Sequence, residues 1–199
     1  MARDAVEPLV LENGAAEVSF WICVGGWTVG EVANSIRTAR GLDDTRDRTV
    51  TLLGLALFGG LALGIYAGYN TEASLPGPRW WPPLAGLPLF AGGIWLRAAA
   101  VITLGRFFTY TVKVDNEQPV IETGPYRLIR HPSYTGLLMA SLGVGLALDN
   151  WLSMAACLLP PLAGFTIRLL HEERVLAEQL GEPYRAYMRR TKRLIPGVW

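Results

Sequence analysis

The chain has 199 residues, a length that holds one domain or at most two small ones. Hydrophobic residues make up 51% and charged residues only 18%, against roughly 25% charged in an average soluble protein, so apolar surface is over-supplied for a soluble fold. A net charge of +1 excludes a nucleic-acid binder built on a basic field. Cys23 and Cys157 lie in apolar stretches without a second Cys or a His at ligand spacing, which excludes a disulfide framework and a Cys-based zinc site.

The N-terminus has no basic segment before an apolar core, so no cleaved signal peptide is expected, and residues 1–17 are expected to be mobile. A bilayer core of ~30 Å takes about 20 apolar residues per helix. On that measure five spans follow in order: 18–30, 49–71, 81–104, 133–148 and 151–167. The second carries no charge, and the third is interrupted by Pro88 and Arg97. Only the turn dipeptide Asp149-Asn150 separates the last two, which read as a tight helical hairpin. In span two, Gly60, Gly64 and Gly68 recur every fourth residue and mark a close-packing face. In span five, Pro160-Pro161 withhold two backbone donors, which fits either a bent packing helix or a kink that opens a cavity. The expected fold is thus an all-α polytopic membrane bundle of about five transmembrane helices. It divides into 1–104, three N-terminal membrane helices, and 105–199, a region holding the hairpin and a cytoplasmic tail.

Arginine placement sets the orientation. Arg37, Arg40, Arg46 and Arg48 follow span one, and Arg106, Lys113, Arg127 and Arg130 follow span three. The tail adds Arg174, Arg185, Arg189, Arg190, Lys192 and Arg193. The opposite side holds Arg3 and Arg79. Cytoplasmic loops collect Lys and Arg, so five spans with the N-terminus outside and the C-terminus inside place all the rich segments in the cytoplasm, at a cell inner membrane. Trp80, Trp81 and Trp151 then lie at the outer interface, and Trp199 is a further candidate interfacial anchor.

Two polar clusters flank the hairpin. The 118–136 segment, QPVIETGPYRLIRHPSYTG, is cytoplasmic on this count and runs into span four. Pro132 suits a first helical position. The free N–H groups of the first turn, Ser133 and Tyr134 included, would face the cytoplasm as an anion site, with Arg130 adding positive charge. The same arginines also serve equally well as ordinary juxtamembrane charges. The second cluster is Arg168-Leu-Leu-His171-Glu172-Glu173, where Arg168 and Glu172 share a helix face. Either it is a surface ion pair, or it is an ionisable group at membrane depth with a function. The hairpin brings the two clusters together.

Gly124-Pro-Tyr126, then Arg130-His-Pro-Ser-Tyr-Thr-Gly136, then Arg168, Glu172-Glu173, Gly181 and Tyr184-x-x-Tyr187 resemble the isoprenylcysteine carboxyl methyltransferase family and its prokaryotic relatives. The resemblance covers about residues 105–196. It implies an S-adenosylmethionine-dependent methyltransferase with S-adenosylhomocysteine as product. The acceptor it implies is a lipophilic small molecule or lipidated substrate within the membrane lipids, methylated on a carboxylate, and no nucleic acid or metal takes part. Carried over residue by residue, Tyr126, His131, Pro132, Ser133, Tyr134 and Glu172 would line the cofactor pocket, with Gln118, Pro119, Val120 and Ile121 just upstream. The family often has His where this chain has Gln118. Arg168 matches the position that addresses the substrate carboxylate, which makes it the catalytic candidate.

That chemistry suits the residues. A carboxylate acceptor is ionised at neutral pH, its pKa being roughly 4, so no general base is required. Alignment and exclusion of water supply much of the barrier reduction. Three alternatives compete: a phospholipid or other lipid N-methyltransferase, an NADPH-dependent membrane reductase, and a non-enzymatic membrane subunit. Sterol reductases carry a similar Arg-His-Pro box but are much longer.

Overall fold

The computed structural model describes residues 8–12, 14–39, 48–108 and 119–199, with backbone alone at 37–39, 48 and 49. Arg40, Arg46, Lys113 and Gln118 lie outside the described residues. The elements in order are α1 (Leu9–Glu12), α2 (Gly14–Ala39), α3 (Arg48–Asn70), α4 (Trp81–Leu104), α5 (Pro132–Ala147), α6 (Trp151–Gln179) and α7 (Glu182–Arg190). Short 3₁₀ turns occupy Gly105–Phe107 and Gly124–Arg127. Among the described residues, extended pairing is limited to two isolated bridges.

Among the described residues, three helices are long and apolar enough to cross a membrane by length and composition: Val50–Asn70, Trp81–Phe107 and Trp151–Gln179. The other two expected spans differ for physical reasons. At 16 residues, α5 reaches only about 24 Å at ~1.5 Å per residue, and it is buried along most of its length between α4 and α6. The 26-residue α2 is diluted by Glu17, Glu31, Asn34 and Ser35. Residues 9–12 and 14–17 are helical, and Glu17 accepts a hydrogen bond from the Tyr69 hydroxyl at 3.2 Å.

Glycines set how closely the helices approach. A Cβ on Gly86 would lie 2.6 Å from the Ala147 nitrogen, and one on Gly136 would lie 2.7 Å from the Arg97 nitrogen. Gly93 and Gly143 meet the facing backbone as tightly. The α4 and α5 backbones are therefore in van der Waals contact, a geometry that only small residues permit. Gly60 and Gly64 do the same for α3 against α6.

The prolines of α6 take part in this contact. Pro161 has no N–H for the Cys157 carbonyl, and the Ser141 hydroxyl donates to that oxygen at 2.6 Å instead. The Ala156 carbonyl, which Pro160 cannot reach, faces Gly60. Pro160-Pro161 thus belong to a helix–helix contact and lie off the wall of the cavity described below.

The α5–α6 turn is a tight hairpin, as expected. Asp149 takes a left-handed φ of 48°, a conformation Asp tolerates better than most residues. The Asn150 side chain caps α6, accepting from Leu152 N at 2.9 Å and Ser153 N at 3.0 Å. Its amide donates to the Thr71 carbonyl at 3.0 Å, which ties the hairpin to the 71–80 loop. Trp80 and Trp151 are exposed at this end.

At the opposite end the chain after α7 returns across the start of α5. Arg130 N donates to Lys192 O at 2.7 Å and His131 N to Arg193 O at 3.0 Å. Beneath them the buried Glu173 carboxylate receives Arg130 Nε at 2.7 Å and Arg193 Nε at 3.0 Å, with His131 Nε2 at 3.3 Å. A buried charge is tolerable only when paired and hydrogen-bonded in this way. Arg130 also donates to the Met188 carbonyl at 3.0 Å and to the Thr191 carbonyl.

Overpacking costs a few kcal/mol, and for a chain of this size each kcal/mol lowers Tm by about 2–4 °C. Gly143→Leu should therefore lower the apparent Tm in detergent by roughly 5 °C or more. Gly26→Leu, whose Cβ meets nothing within 4 Å, should leave Tm unchanged or slightly raised. Fluorescence-detected thermal unfolding of the two variants checks the contrast.

Candidate active site

The helix ends opposite the 71–80 loop enclose an open cleft. It holds about 1370 Å³ of space, its open mouth included. Its walls differ in character. One is apolar and built from Val50, Leu53, Gly54, Leu57 and Phe58 of α3 with Leu104, Phe107 and Phe108 at the end of α4. The other is polar and aromatic, with Tyr126, His131, Ser133, Tyr134, Arg168, Glu172, Tyr184 and Tyr187.

The sequence-predicted residues converge here. Pro119, Val120 and Ile121 line the cleft, as do Tyr126, His131, Ser133, Tyr134, Arg168 and Glu172. Pro132 does not: it is the first residue of α5 and is buried behind the wall. Gln118 lies outside the described residues. His171 is exposed, one helical step away from the cleft.

Consecutive acids on α6 point to different tasks because neighbouring helical residues diverge by about 100°. Glu173 is the buried anchor under the tail. Glu172 turns to the cleft and accepts the Tyr134 hydroxyl at 2.8 Å. The Tyr134 ring stacks on Phe165 with centroids 5.0 Å apart and on the His131 ring at 5.6 Å. Arg168 lies one turn earlier on α6, lines the same cleft and is 2% exposed, among the largest buried side chains of the described residues.

The expected anion site at the start of α5 is altered in two respects. Tyr134 N donates to His131 O at 3.1 Å, so that N–H is not turned to the cytoplasm. The Arg130 guanidinium is engaged with Glu173 and the Met188 and Thr191 carbonyls, not with an incoming anion. What the helix start offers the cleft is side chains: Ser133, Tyr134 and the His131 ring.

Three phenols complete the polar wall. Tyr187 donates to the Tyr126 carbonyl at 2.8 Å, seating α7 against the Gly124–Arg127 turn. Burial pushes the Tyr126, Tyr184 and Tyr187 hydroxyls well above the usual phenol range, with the Glu172 carboxylate adding to the effect at Tyr126 and Tyr184. These groups are neutral hydrogen-bonding partners, not bases.

Sequence reasoning missed Glu31 and Arg97. By hydropathy Arg97 is only an interruption of an apolar span, although an arginine at that depth is itself a sign of function. Its fork meets the Glu31 carboxylate, with Nε to Oε1 at 3.1 Å and Nη2 to Oε2 at 2.9 Å. Its Nη1 donates to the Ser133 hydroxyl.

A family model described as "Phospholipid methyltransferase" matches residues 81–183, just over half of the chain. Protein-S-isoprenylcysteine O-methyltransferase A of Arabidopsis thaliana is 36% identical over 135 residues, which cover 65% of this chain and 68% of that protein. Protein-S-isoprenylcysteine O-methyltransferase B of the same plant is 35% identical over 122 residues, 60% of this chain and 62% of that protein. The Homo sapiens protein-S-isoprenylcysteine O-methyltransferase is 30% identical over 120 residues, 59% of this chain and 42% of its own length. The solved structure of the eukaryotic intramembrane Ras methyltransferase ICMT (isoprenylcysteine carboxyl methyltransferase) superposes with a TM-score of 0.60 at 23% identity, over 81% of this chain and 56% of that one. This chain thus spans 62–68% of the two plant proteins, and the structural likeness extends the same membrane helical fold across most of it. With its signature residues gathered around one cleft, the chain belongs to the isoprenylcysteine carboxyl methyltransferase family.

Proposed function

We propose that the chain is an S-adenosylmethionine-dependent methyltransferase acting on a carboxylate carried by a lipophilic, membrane-embedded acceptor. The observation that carries this reading is the two-sided cleft, in which one wall is polar and aromatic and the other apolar and set among membrane helices. When bound, S-adenosylmethionine supplies an electrophilic methyl group on a positively charged sulfur. The donor set on the polar wall fits a cationic ligand with an aromatic base: the Glu172 carboxylate, the rings of Tyr126, Tyr134 and Tyr184, and phenols that stay neutral. Pro119, Val120 and Ile121, with His131 and Ser133, close the same side.

Arg168 is placed to hold the acceptor. It is buried, lines the cleft and lies one turn of α6 before Glu172. A guanidinium grips one oxygen of a carboxylate while the other remains available to attack. The acceptor is already ionised, so the protein need only align the groups and exclude water. The Val50–Phe58 wall of α3 takes the lipid tail.

A phospholipid amine is the second acceptor reading, favoured by the description of the matching family model. Arg168 would then contact a headgroup phosphate rather than the methylated atom.

We place the cleft on the cytoplasmic face of the inner membrane. Arg106, Arg127, Arg174 and the basic tail gather at the cleft end, and the exposed Trp80 and Trp151 lie at the other. With Cys23→Ser as background, Lys192→Cys should react with a membrane-impermeant maleimide only after permeabilisation, and Glu72→Cys should react on intact cells. The reverse pattern overturns the orientation.

Calorimetry with S-adenosylhomocysteine tests the cofactor side. Glu172→Ala and Tyr126→Ala should each weaken binding about tenfold or more, the loss of one charged or buried hydrogen-bonding group. Arg168→Ala should keep the affinity within about twofold and lose about 100-fold or more in turnover, as when one charge-stabilising group is removed. Unchanged affinity in the first two variants sinks the assignment.

A further inference from the structure

We infer that Glu31, on the N-terminal helix α2, is a positioning residue of this site, acting through Arg97 on Ser133. The inference rests on the proposed cofactor reading and adds to it a residue outside the 81–183 segment that the family model matches.

The geometry is specific. The Glu31 carboxylate and the Arg97 guanidinium meet through two parallel contacts, at 3.1 and 2.9 Å, with side chains 11% and 5% exposed. Fork-on-carboxylate pairing fixes the guanidinium plane as well as its place. The remaining edge, Nη1, donates to the Ser133 hydroxyl in the first turn of α5. The guanidinium carbon stands 5.0 Å from the Phe108 ring centroid. Glu31, Arg97, Phe108 and Ser133 all line the cleft. One side chain therefore joins three of its walls: α2, the end of α4 and the start of α5.

Docking of α2 does not account for the pair. The buried face of α2 is already apolar, with Phe20, Val24 and Trp27 in the core and the Trp27 ring edge-on to Phe90. An apolar pair would hold a helix at lower desolvation cost than two buried charges. What the ion pair supplies is orientation. Arg97 leaves a backbone pressed against Gly136, so its stem is fixed at the base, and Glu31 fixes its far end. Without that carboxylate the long side chain regains rotamer freedom, and the Ser133 hydroxyl loses a fixed donor. His131, two residues before Ser133, and Tyr134, the next residue, are read as cofactor-facing.

The test is a double-mutant cycle on the purified full chain, with S-adenosylhomocysteine affinity and Tm as readouts. Glu31→Gln should weaken binding about tenfold, and Glu31→Asp should recover part of the loss. Combined with Ser133→Ala, Glu31→Gln should add little, because the hydroxyl through which it acts is gone. A purely structural role predicts lowered Tm, unchanged affinity in the folded fraction and additive effects, and that result overturns the inference. If Glu31→Gln cannot be recovered folded, Ser133→Ala alone must weaken binding, and unchanged affinity there also overturns it. Wild-type binding with no loss in Glu31→Gln removes this inference alone. No binding by the wild type removes the cofactor reading and this inference with it.

Discussion

The contact between the α4 and α5 backbones is the constraint on which the site depends. Four glycines, Gly86, Gly93, Gly136 and Gly143, leave no room for a Cβ at the crossing. Because the helices touch along their backbones, Arg97 of α4 emerges beside the first turn of α5 and reaches Ser133. A wider spacing would leave a charged side chain in an apolar interface without that acceptor. The same closeness lets a 16-residue helix sit inside the bundle, where its polar N-terminal end meets the cleft. Packing of small residues, which adds little polarity, thus decides where the polar chemistry falls.

The second organising feature is the division of labour between Glu172 and Glu173. Glu173 binds three cationic or potentially cationic groups and fastens the returning tail to the start of α5. That fastening holds His131 and Tyr134 in place and seats α7, whose Tyr184 and Tyr187 close the cleft. Glu172, one residue earlier, is left to face the cavity through Tyr134. Under the proposed reading one acid builds the wall and the other addresses the ligand.

Much of this was legible in the sequence, where local rules decided the outcome. The Asp149-Asn150 turn, the Gly60–Gly64–Gly68 face and the convergence of the 124–136 and 168–173 clusters follow from turn chemistry, small-residue spacing and hairpin geometry. The long-range pairings were not legible. No spacing rule connects Glu31 to Arg97, or Arg130 to Glu173 and the 191–193 tail, since these are contacts between distant segments. The sequence leaves Arg130 open between a charge for an incoming anion and an ordinary juxtamembrane charge, whereas it is engaged in holding the chain's own C-terminal tail. The short α5 shows the same limit: hydropathy counts apolar residues and does not distinguish a helix facing lipid from one buried by its neighbours.

Under the proposed reading, a polar ligand and a lipid tail need different solvents, and the two walls of the cleft are polar and apolar to match. The most direct measurement is transfer of labelled methyl from S-adenosylmethionine by the purified chain into a membrane lipid extract, followed by mild alkali. Organic-soluble label released as volatile methanol is the predicted result, because a carboxyl methyl ester hydrolyses. Label that stays non-volatile after alkali, in either phase, would contradict the carboxylate acceptor, and no enzyme-dependent transfer would contradict the methyltransferase assignment.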